Sequence, residues 1–279
     1  MNTGLILMST ASKTKTMEGS RRFISDVIEL QIVFDDNPVN SSEMSLDTLF
    51  KKVDETGTIP QTSQPTPFSI EEAINRGFKT FDNLVIVTPH SEISGTYQNC
   101  VNVVSEHQNS NNIKVIQVNG GIAITEAMLI DECLNLIEVG TEFGELSTKL
   151  DAFNKKLVIY TFPGDFEYLK VSGRVKGATA LILNALNIRV VIKMEGGKPI
   201  IDNKGRGDKS VLKYITSEFK ADTIERVYYT AIKDNAKMRE AVIKLLADNG
   251  IEVEMTEEAN SVPAAHLGPN NFGLGVLYK

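Results

Sequence analysis

Short apolar runs alternate with helix-forming segments along the first half of the chain, and this alternation is the feature that most limits the fold. Runs of β-branched and other apolar residues predict strands, and segments with apolar residues at helical spacing predict helices between them. Parallel strands need such crossover helices, so we expect a parallel sheet with helices on both faces. The predicted strands are Gly4–Met8, Glu29–Phe34, Leu84–Thr88 and Ile113–Val118, and the predicted helices are Leu46–Glu55, Ile70–Phe78, Ile124–Val139 and Phe143–Phe153.

The pattern changes after Asn154. Two strands flank Glu195-Gly196-Gly197, which is a hairpin signal and therefore indicates antiparallel pairing. We expect a two-domain α/β protein: an N-terminal parallel-sheet domain, residues 1–155, and a C-terminal mixed-sheet domain, residues 156–279. The strands predicted for the second domain are Leu157–Thr161, Arg189–Lys193, Lys198–Ile201, Val227–Ile232, Ile251–Met255 and Phe272–Tyr278, and the helices are Gly177–Asn187, Lys209–Ala221 and Asn235–Asp248.

Composition excludes several classes of function. The 279 residues carry a net charge of −7, which argues against binding to nucleic acid because that needs a basic face. No apolar run approaches the roughly 20 residues of a membrane-spanning helix, so we expect no integral membrane segment and at most transient membrane contact. Cys100 and Cys133 have no C-x-x-C spacing and are expected to be reduced core residues of a cytoplasmic protein. The scattered histidines predict no metal site, and we expect no catalytic cofactor.

The stretch Leu84–Gln98 combines a predicted strand, a hydroxyl-rich turn and a predicted helix start. Ser91 and Ser94 lie in the turn, and Gly95 and Thr96 open the helix. Free N–H groups and the positive end of the helix dipole make such a turn suitable for a small anionic group. The simpler interpretation, and the better one for this stretch alone, is that Ser94 caps the helix.

A second segment, Thr58–Pro67, holds three prolines in ten residues. Proline removes a backbone donor and favours extended or turn geometry before it, so we expect no regular structure here. The segment is either a solvated linker or a stiff loop that presents Thr62, Ser63 and Gln64. Ser69 and Glu72 have the spacing of a capping box and predict that a helix begins there.

Common catalytic and nucleotide-binding motifs are absent from the sequence. There is no G-x-S-x-G elbow, no Walker A loop and no G-x-G-x-x-G fingerprint. His90 and His266 are formally available to Ser91 or Ser94. A serine/histidine hydrolase of acyl esters or acyl-phosphates therefore stays open as an alternative.

Four separated segments resemble one known family across essentially the whole chain. They are TSQP at Thr62–Pro65, S-x-x-S-G-T-Y-Q at Ser91–Gln98, EYLK-x-SGRV at Glu167–Val175 and H-x-GP at His266–Pro269. Their order and spacing are similar to those of the DegV family of bacterial fatty acid-binding proteins. The most specific signal is TSQP followed about thirty residues later by SGTYQ.

The resemblance implies that a long, palmitate-like fatty acid is buried in the protein, with its carboxyl held by Thr62 and Ser94. FakB-type members act as carriers and are not themselves enzymes: they present the carboxyl to a fatty acid kinase, which makes acyl-phosphate for phospholipid synthesis. The resemblance further implies that His266 and Arg174 belong to the site and that Arg206 meets the kinase. A lipid-responsive regulatory protein would share the same pocket.

Elementary chemistry agrees with this assignment. A carboxylate needs donors, which the hydroxyls of Thr62 and Ser94 and the N–H groups around Gly95 and Thr96 can supply, with Ser63 and Ser91 as secondary candidates. Gly95 has no Cβ and lets the backbone come close to the ligand. The helix faces Ile124–Leu134 and Leu181–Leu186 are candidates for the tail pocket, although plain core is the simpler interpretation of each.

His266 and Arg174 each have more than one possible role. His266 can donate to the carboxyl and, if protonated, adds positive charge. Arg174 suits a phosphate because its donors form a fork, or it forms a surface salt bridge.

The sequence also departs from the family pattern. Met8 stands where an aspartate is usual, Asn119-Gly120 replaces an Asp-Ser step, and Leu267 replaces a threonine. Asn270-Asn271 stands where small residues are usual. The head-group residues are retained, so we expect lipid binding to survive, whereas the departures fall at surface and loop positions that docking to a kinase would use.

Overall fold

A computed structural model describes residues 2–176, 187–256 and 258–279 of the chain. Within these ranges the strands form three sheets, of four, six and three strands. The strands are β1 Thr3–Met8, β2 Ile24–Ile28, β3 Gln31–Phe34, β4 Asn37–Asn40, β5 Gln61–Ser63, β6 Asn83–Thr88, β7 Ile113–Gln117, β8 Leu157–Phe162, β9 Ile188–Glu195, β10 Lys198–Arg206, β11 Ile224–Ile232, β12 Val253–Met255 and β13 Asn271–Tyr278.

The helices lie mostly where the sequence predicts them. The short helices α1 and α10 were not predicted, and the helix predicted for Gly177–Asn187 lies outside the described residues apart from Asn187. The α-helices are α1 Lys15–Gly19, α2 Leu46–Thr56, α3 Pro67–Gly77, α4 Thr96–Glu106, α5 Ile124–Glu138, α6 Phe143–Asn154, α7 Phe166–Ser172, α8 Asp208–Glu218, α9 Ala236–Asp248 and α10 Ser261–Leu267.

The four-stranded sheet has the order β2-β1-β6-β7 and is parallel throughout. Every residue of β1 and β6 is buried, which explains their continuous apolar sequences. The predicted parallel sheet is therefore confirmed for β1, β6 and β7. The strand predicted at Glu29–Phe34 is not part of it, because Gln31–Phe34 pairs antiparallel with β4 and β5. The edge strand β2 of the parallel sheet was not predicted because four of its five residues are partly or fully exposed, so its sequence lacks an apolar run.

The six-stranded sheet has the order β10-β9-β8-β13-β11-β12. All its pairs are antiparallel except β11-β12, so the predicted mixed sheet is also confirmed. Helix α5 lies between the two large sheets and contacts β6 on one side and β8, β11 and β13 on the other. One apolar cluster accordingly runs from Leu5 and Val85 through α5 to Leu157 and Leu277. The domain division near residue 155 stays a prediction.

The third sheet, β4-β3-β5, is antiparallel and holds the TSQP segment. The expectation that Thr58–Pro67 has no regular structure was wrong, because Gln61–Ser63 pairs with β3. Pro60 and Pro65 flank this short edge strand and leave its own N–H groups available for pairing. The predicted helix start at Ser69 was also wrong: Thr66 is the N-cap and accepts a hydrogen bond from the Ser69 N–H.

Candidate functional site

A cavity lies between the six-stranded sheet and the loops that follow β1 and β6. It encloses about 990 Å³ of space, a volume that includes its opening to solvent. Most of the wall is apolar and comes from residues far apart in the chain: Leu30, Ile93, Ile122, Ile159, Leu169, Val175, Ile192, Met194, Ile232, Val262 and Leu267.

Thr62, Ser94, Arg174 and His266 all line this cavity, and we call the end that they form the mouth. Each comes from a different element: β5, the loop after β6, the segment after α7 and the end of α10. The first three also line a cleft on the surface. The mouth therefore joins the apolar interior to the outside of the protein.

Thr62 and His266 contact each other directly. The Thr62 Oγ1 lies 2.9 Å from the His266 Nε2, and helix α10 brings His266 there by packing against β3 and β5. Burial, together with the nearby Arg174 guanidinium, lowers the pKa of His266 to about 3. The imidazole is therefore neutral near neutral pH, so in the ligand-free protein it does not supply the positive charge considered from the sequence.

Ser94 lies just before α4, and Gly95 takes the N-cap position. The Ser94 Oγ accepts a hydrogen bond from the Thr96 N–H at 3.3 Å and lies 2.8 Å from the Thr96 Oγ1. When the buried Thr96 hydroxyl donates to Ser94, the Ser94 hydroxyl can donate towards the cavity. Ser94 thus combines a contact to the helix start with a place on the cavity wall.

The TSQP and SGTYQ motifs pack against each other. A Cβ on Gly95 would lie 2.3 Å from the Gln64 Oε1, so a larger residue at position 95 would displace Gln64. The Asn99 side chain also donates to the Pro65 carbonyl oxygen at 2.7 Å. We expected Gly95 to admit a ligand, but the side chain that comes closest to it is Gln64. These contacts join the two motifs in the folded chain.

The other predicted site residues lie farther from the interior of the cavity. Ser91 and Gly95 are exposed and line only the surface cleft. Ser63 follows Thr62 in β5 and therefore points to the other face of the strand; it is not among the residues that line the cavity. Arg206 ends β10 and is exposed, roughly 20 Å along the strand from Pro199, which lines the cavity. The structure does not bring Ser63 or Arg206 to the mouth.

Arg174 reaches the mouth because Gly173 ends α7 in the left-handed conformation, with φ of +66°. The Arg174 Nη1 donates to the Ser172 carbonyl oxygen at 2.6 Å, and the Nε points to the Ile93 carbonyl oxygen at 3.5 Å. Burial lowers the pKa of the Arg174 guanidinium, and no carboxylate in the described ranges offsets this effect. A half-buried cation with only carbonyl partners is suited to an anionic ligand.

Thr10 and Glu126 were missed by the sequence analysis. Thr10 lines the cavity, and its hydroxyl donates to the Glu126 Oε1 at 2.9 Å. The Ala123 N–H donates to the Glu126 Oε2, also at 2.9 Å. Burial raises the pKa of Glu126 to about 8. The only sequence signal was one acidic residue on a helix whose Ile124–Leu134 face is packed as core between the sheets.

The geometry gives little support to a serine/histidine hydrolase. The His266 Nε2 contacts Thr62 rather than a serine, and no described carboxylate hydrogen-bonds to the His266 ring. Across the described ranges, no group of three or more His, Cys, Asp or Glu side chains is arranged to hold a metal ion. None of the helices in those ranges has the length and apolarity to cross a membrane.

A model of the DegV family, a family of uncharacterised proteins, matches residues 6–279. The chain belongs to the DegV family. A fatty acid-binding protein of Thermotoga maritima is 28% identical over 264 residues, which cover 90% of each chain. A DegV domain-containing protein of Staphylococcus aureus is 26% identical over 267 residues, or 90% of this chain and 89% of the relative.

Solved structures of DegV family proteins share the fold. A fatty acid-binding member from Thermus thermophilus superposes with a TM-score of 0.88 at 21% identity, covering 100% of both chains. A stearic acid-binding protein from Eubacterium ventriosum gives a TM-score of 0.84 at 23% identity and covers 100% of this chain and 99% of its own. The predicted DegV-like α/β fold is therefore confirmed.

Proposed function

We propose that this chain is a carrier that binds a long-chain fatty acid and presents its carboxyl to a fatty acid kinase. The observation that carries the proposal is the half-buried Arg174, which lies with two hydroxyl side chains at one end of an apolar cavity. The relatives described as binding fatty acids support the same ligand class. The finer roles below are part of the proposal.

At the mouth, the carboxylate accepts hydrogen bonds from the hydroxyls of Thr62 and Ser94 and pairs with Arg174. The neutral His266 donates its Nε2–H to the Thr62 Oγ1, and this leaves the Thr62 hydroxyl hydrogen for the ligand. His266 therefore orients Thr62 and does not bind the carboxylate by itself. Gly95 and Thr96 shape the turn, because the Thr96 N–H already donates to Ser94.

The tail supplies most of the affinity and the mouth fixes the orientation. Burial of a palmitate-like chain contributes on the order of 10 kcal/mol gross, at about 0.8 kcal/mol per methylene. Each hydrogen bond to a charged group adds about 1.5–3 kcal/mol. The apolar wall thus recognises chain length, and the mouth selects a carboxylate over an uncharged end.

The mouth is shared with a surface cleft, so a bound carboxyl lies within reach of a partner enzyme. The kinase transfers a phosphoryl group to a carboxylate oxygen, and the acyl-phosphate product enters lipid metabolism; this places the carrier in the cytoplasm, where the phosphoryl donor is found. Arg174 carries positive charge beside the reacting oxygens. Arg206, on the exposed end of β10, is a candidate contact for the kinase.

The first test identifies the ligand. The purified protein is extracted with organic solvent, the extract is analysed by mass spectrometry, and the delipidated protein is titrated with palmitate. We expect a long-chain fatty acid in the extract and saturable binding of one equivalent. Absence of fatty acid from the extract together with absence of binding to the delipidated protein would rule out the proposal.

A second test separates the carrier from its partner. Loaded protein is mixed with a fatty acid kinase and ATP, and acyl-phosphate is trapped as a hydroxamate. We expect Arg206→Met to slow product formation without a change in palmitate affinity, and Arg22→Met, an exposed arginine paired with Glu138, to change neither. Fatty acid binding without any acyl-phosphate would favour a lipid-responsive regulator over the carrier.

A further inference from the structure

The face of the six-stranded sheet that forms one wall of the cavity carries two unpaired polar side chains. Asn271 and Thr161, with Gly273 between them, make up what we call the floor. Asn271 is 2% exposed and Thr161 is 6% exposed. Neither side chain hydrogen-bonds to a residue in the described ranges, and the Asn271 Nδ2 is a fully buried donor without a partner. Since buried polar groups are nearly always paired, this arrangement requires an explanation.

Sheet geometry places the two side chains around one point. Thr161 on β8 is directly opposite Gly273 on β13, and Asn271 lies two residues before Gly273 on the same face. Diagonal neighbours of this kind have Cβ atoms about 7–8 Å apart or somewhat less. Gly273 has no side chain, so a ligand atom above it can reach both the Thr161 hydroxyl and the Asn271 carboxamide.

The chemistry of the floor differs from that of a tail pocket for a plain hydrocarbon chain. A methylene chain leaves the carboxamide and the hydroxyl without partners in a dry environment, which is unfavourable. A hydroxyl on the chain accepts from the Asn271 N–H or the Thr161 O–H and donates to the Asn271 carbonyl oxygen. A second anionic group is not matched, because the charged or titratable residues that line the cavity within the described part of the chain, Arg174 and His266, are at the mouth.

We infer that the preferred ligand is a fatty acid with a hydroxyl group on its acyl chain, positioned over Gly273 and held by Asn271 and Thr161. This inference rests on the proposed fatty acid binding and adds the substrate class. The carboxylate stays at the mouth, the hydroxyl lies over the floor, and the chain between them contacts apolar wall. Distance between mouth and floor then selects the position of the hydroxyl along the chain.

The test compares octadecanoic acid with a series of its mid-chain hydroxylated isomers, titrated into delipidated protein. We expect at least one isomer to bind about tenfold more tightly than octadecanoic acid, which is about 1.4 kcal/mol and the size of one net hydrogen bond. In Asn271→Leu this isomer should lose about tenfold in affinity, while octadecanoic acid binds at least as tightly as to the unmodified protein.

Valine has nearly the same shape as threonine and lacks the hydroxyl. Thr161→Val therefore tests the preference for the hydroxylated acid if Asn271→Leu does not fold. Thr216→Val is the matched control, because Thr216 is exposed on α8 and its hydroxyl donates to the Leu212 carbonyl oxygen of the same helix. Equal affinity for plain and hydroxylated acids, or the same preference in Asn271→Leu as in the unmodified protein, overturns the inference and leaves fatty acid binding intact. Failure of every acid to bind overturns the proposed function as well.

Discussion

At the mouth of the cavity, Thr62 and His266 contact each other and Ser94 is fixed by Thr96, whereas on the floor the side chains of Asn271 and Thr161 bond to no described residue. The mouth is assembled from four chain segments and is arranged before any ligand arrives. The floor belongs to one sheet, and its strand pairing holds it regardless of its side chains. Substitutions at the mouth should therefore change binding more than stability, and polar residues inside should cost stability until a ligand pairs with them.

The largest expected effect concerns Glu126, which is hydrogen-bonded to Thr10 and Ala123 of the cavity wall. Its pKa is raised from 4.5 to about 8 by burial, so the folded protein keeps a proton that the unfolded chain releases. Stability therefore falls as the pH rises through that window. At about 1.4 kcal/mol per pKa unit, ionised Glu126 costs on the order of 5 kcal/mol. Glu126→Gln should be more stable than the unmodified protein at pH 8, measured by urea unfolding.

Asp131 supplies an internal control for this prediction. Burial raises its pKa to about 6, while hydrogen bonds from Thr14 and Tyr228 oppose the shift. Glu126→Gln should therefore lose the pH dependence of unfolding between about pH 6 and pH 8 and, below pH 6, keep the part that Asp131 contributes. A stability curve of Glu126→Gln that keeps its full slope above pH 6 would contradict the assignment of that slope to Glu126.

The next effect is at the mouth. Arg174→Met keeps most of the side-chain length and removes the charge, so we expect fatty acid affinity to fall roughly 10- to 100-fold, from the loss of about 1.5–3 kcal/mol in charged hydrogen bonds. The free energy of unfolding without ligand should change little, because Arg174 has no acidic partner among the described residues. Titration of the delipidated variant measures the first quantity, and Arg22→Met is the matched control.

Ser94→Ala should have a smaller effect of the same kind. It removes one hydroxyl donor and should weaken fatty acid binding by roughly 1–2 kcal/mol. Ser105→Ala is a suitable control, since Ser105 is exposed on α4 and its hydroxyl bonds only to the Asn102 carbonyl oxygen. Unchanged affinity in Ser94→Ala would show that Ser94 serves its helix start alone and would reduce the mouth to Thr62 and Arg174.

Much of the fold follows from local signals in the sequence. The buried strands β1 and β6 are continuous apolar runs, and α5 has helical spacing, so their existence and type could be predicted. Two short strands, β2 and β5, could not be predicted in this way. β2 is an edge strand with one fully buried residue, and β5 exists only because β3 pairs with it. Tertiary contacts decide whether such segments form strands, and local propensity does not contain that information.

The site shows the same limit. The resemblance placed Thr62, Ser94, Arg174 and His266 together. They line one cavity in the structure, and their binding roles stay proposals. The contact of Gln64 with Gly95 and the bond from Thr10 to Glu126 join residues far apart in sequence. No spacing rule predicts them. The floor could not be predicted from the sequence either, because Asn271 and Thr161 become neighbours only when β13 pairs with β8.

The smallest expected effects concern two glycines on β13. Gly273 lines the cavity and Gly275 is packed in the core, so the same substitution tests the two regions separately. A Cβ on Gly273 would meet the Thr230 Cγ2 at 3.4 Å, an ordinary contact, and would otherwise enter the cavity. Gly273→Ala should keep its stability within about 1 kcal/mol, since alanine also suits a strand better than glycine does. It should weaken binding of long fatty acids several-fold, because the methyl group occupies the path of the chain.

Gly275, two residues on and on the same face, lies under α5 instead. A Cβ there would lie 2.9 Å from the Met128 Sδ and 3.1 Å from carbons of Ile124, so Gly275→Ala should lose about 1–3 kcal/mol of stability through overpacking. Paired unfolding and binding curves for the two variants check both effects. If Gly273→Ala bound long fatty acids as well as the unmodified protein, the acyl chain would not pass over the floor, and the tail would have to lie against the opposite wall near Ile122 and Ala123.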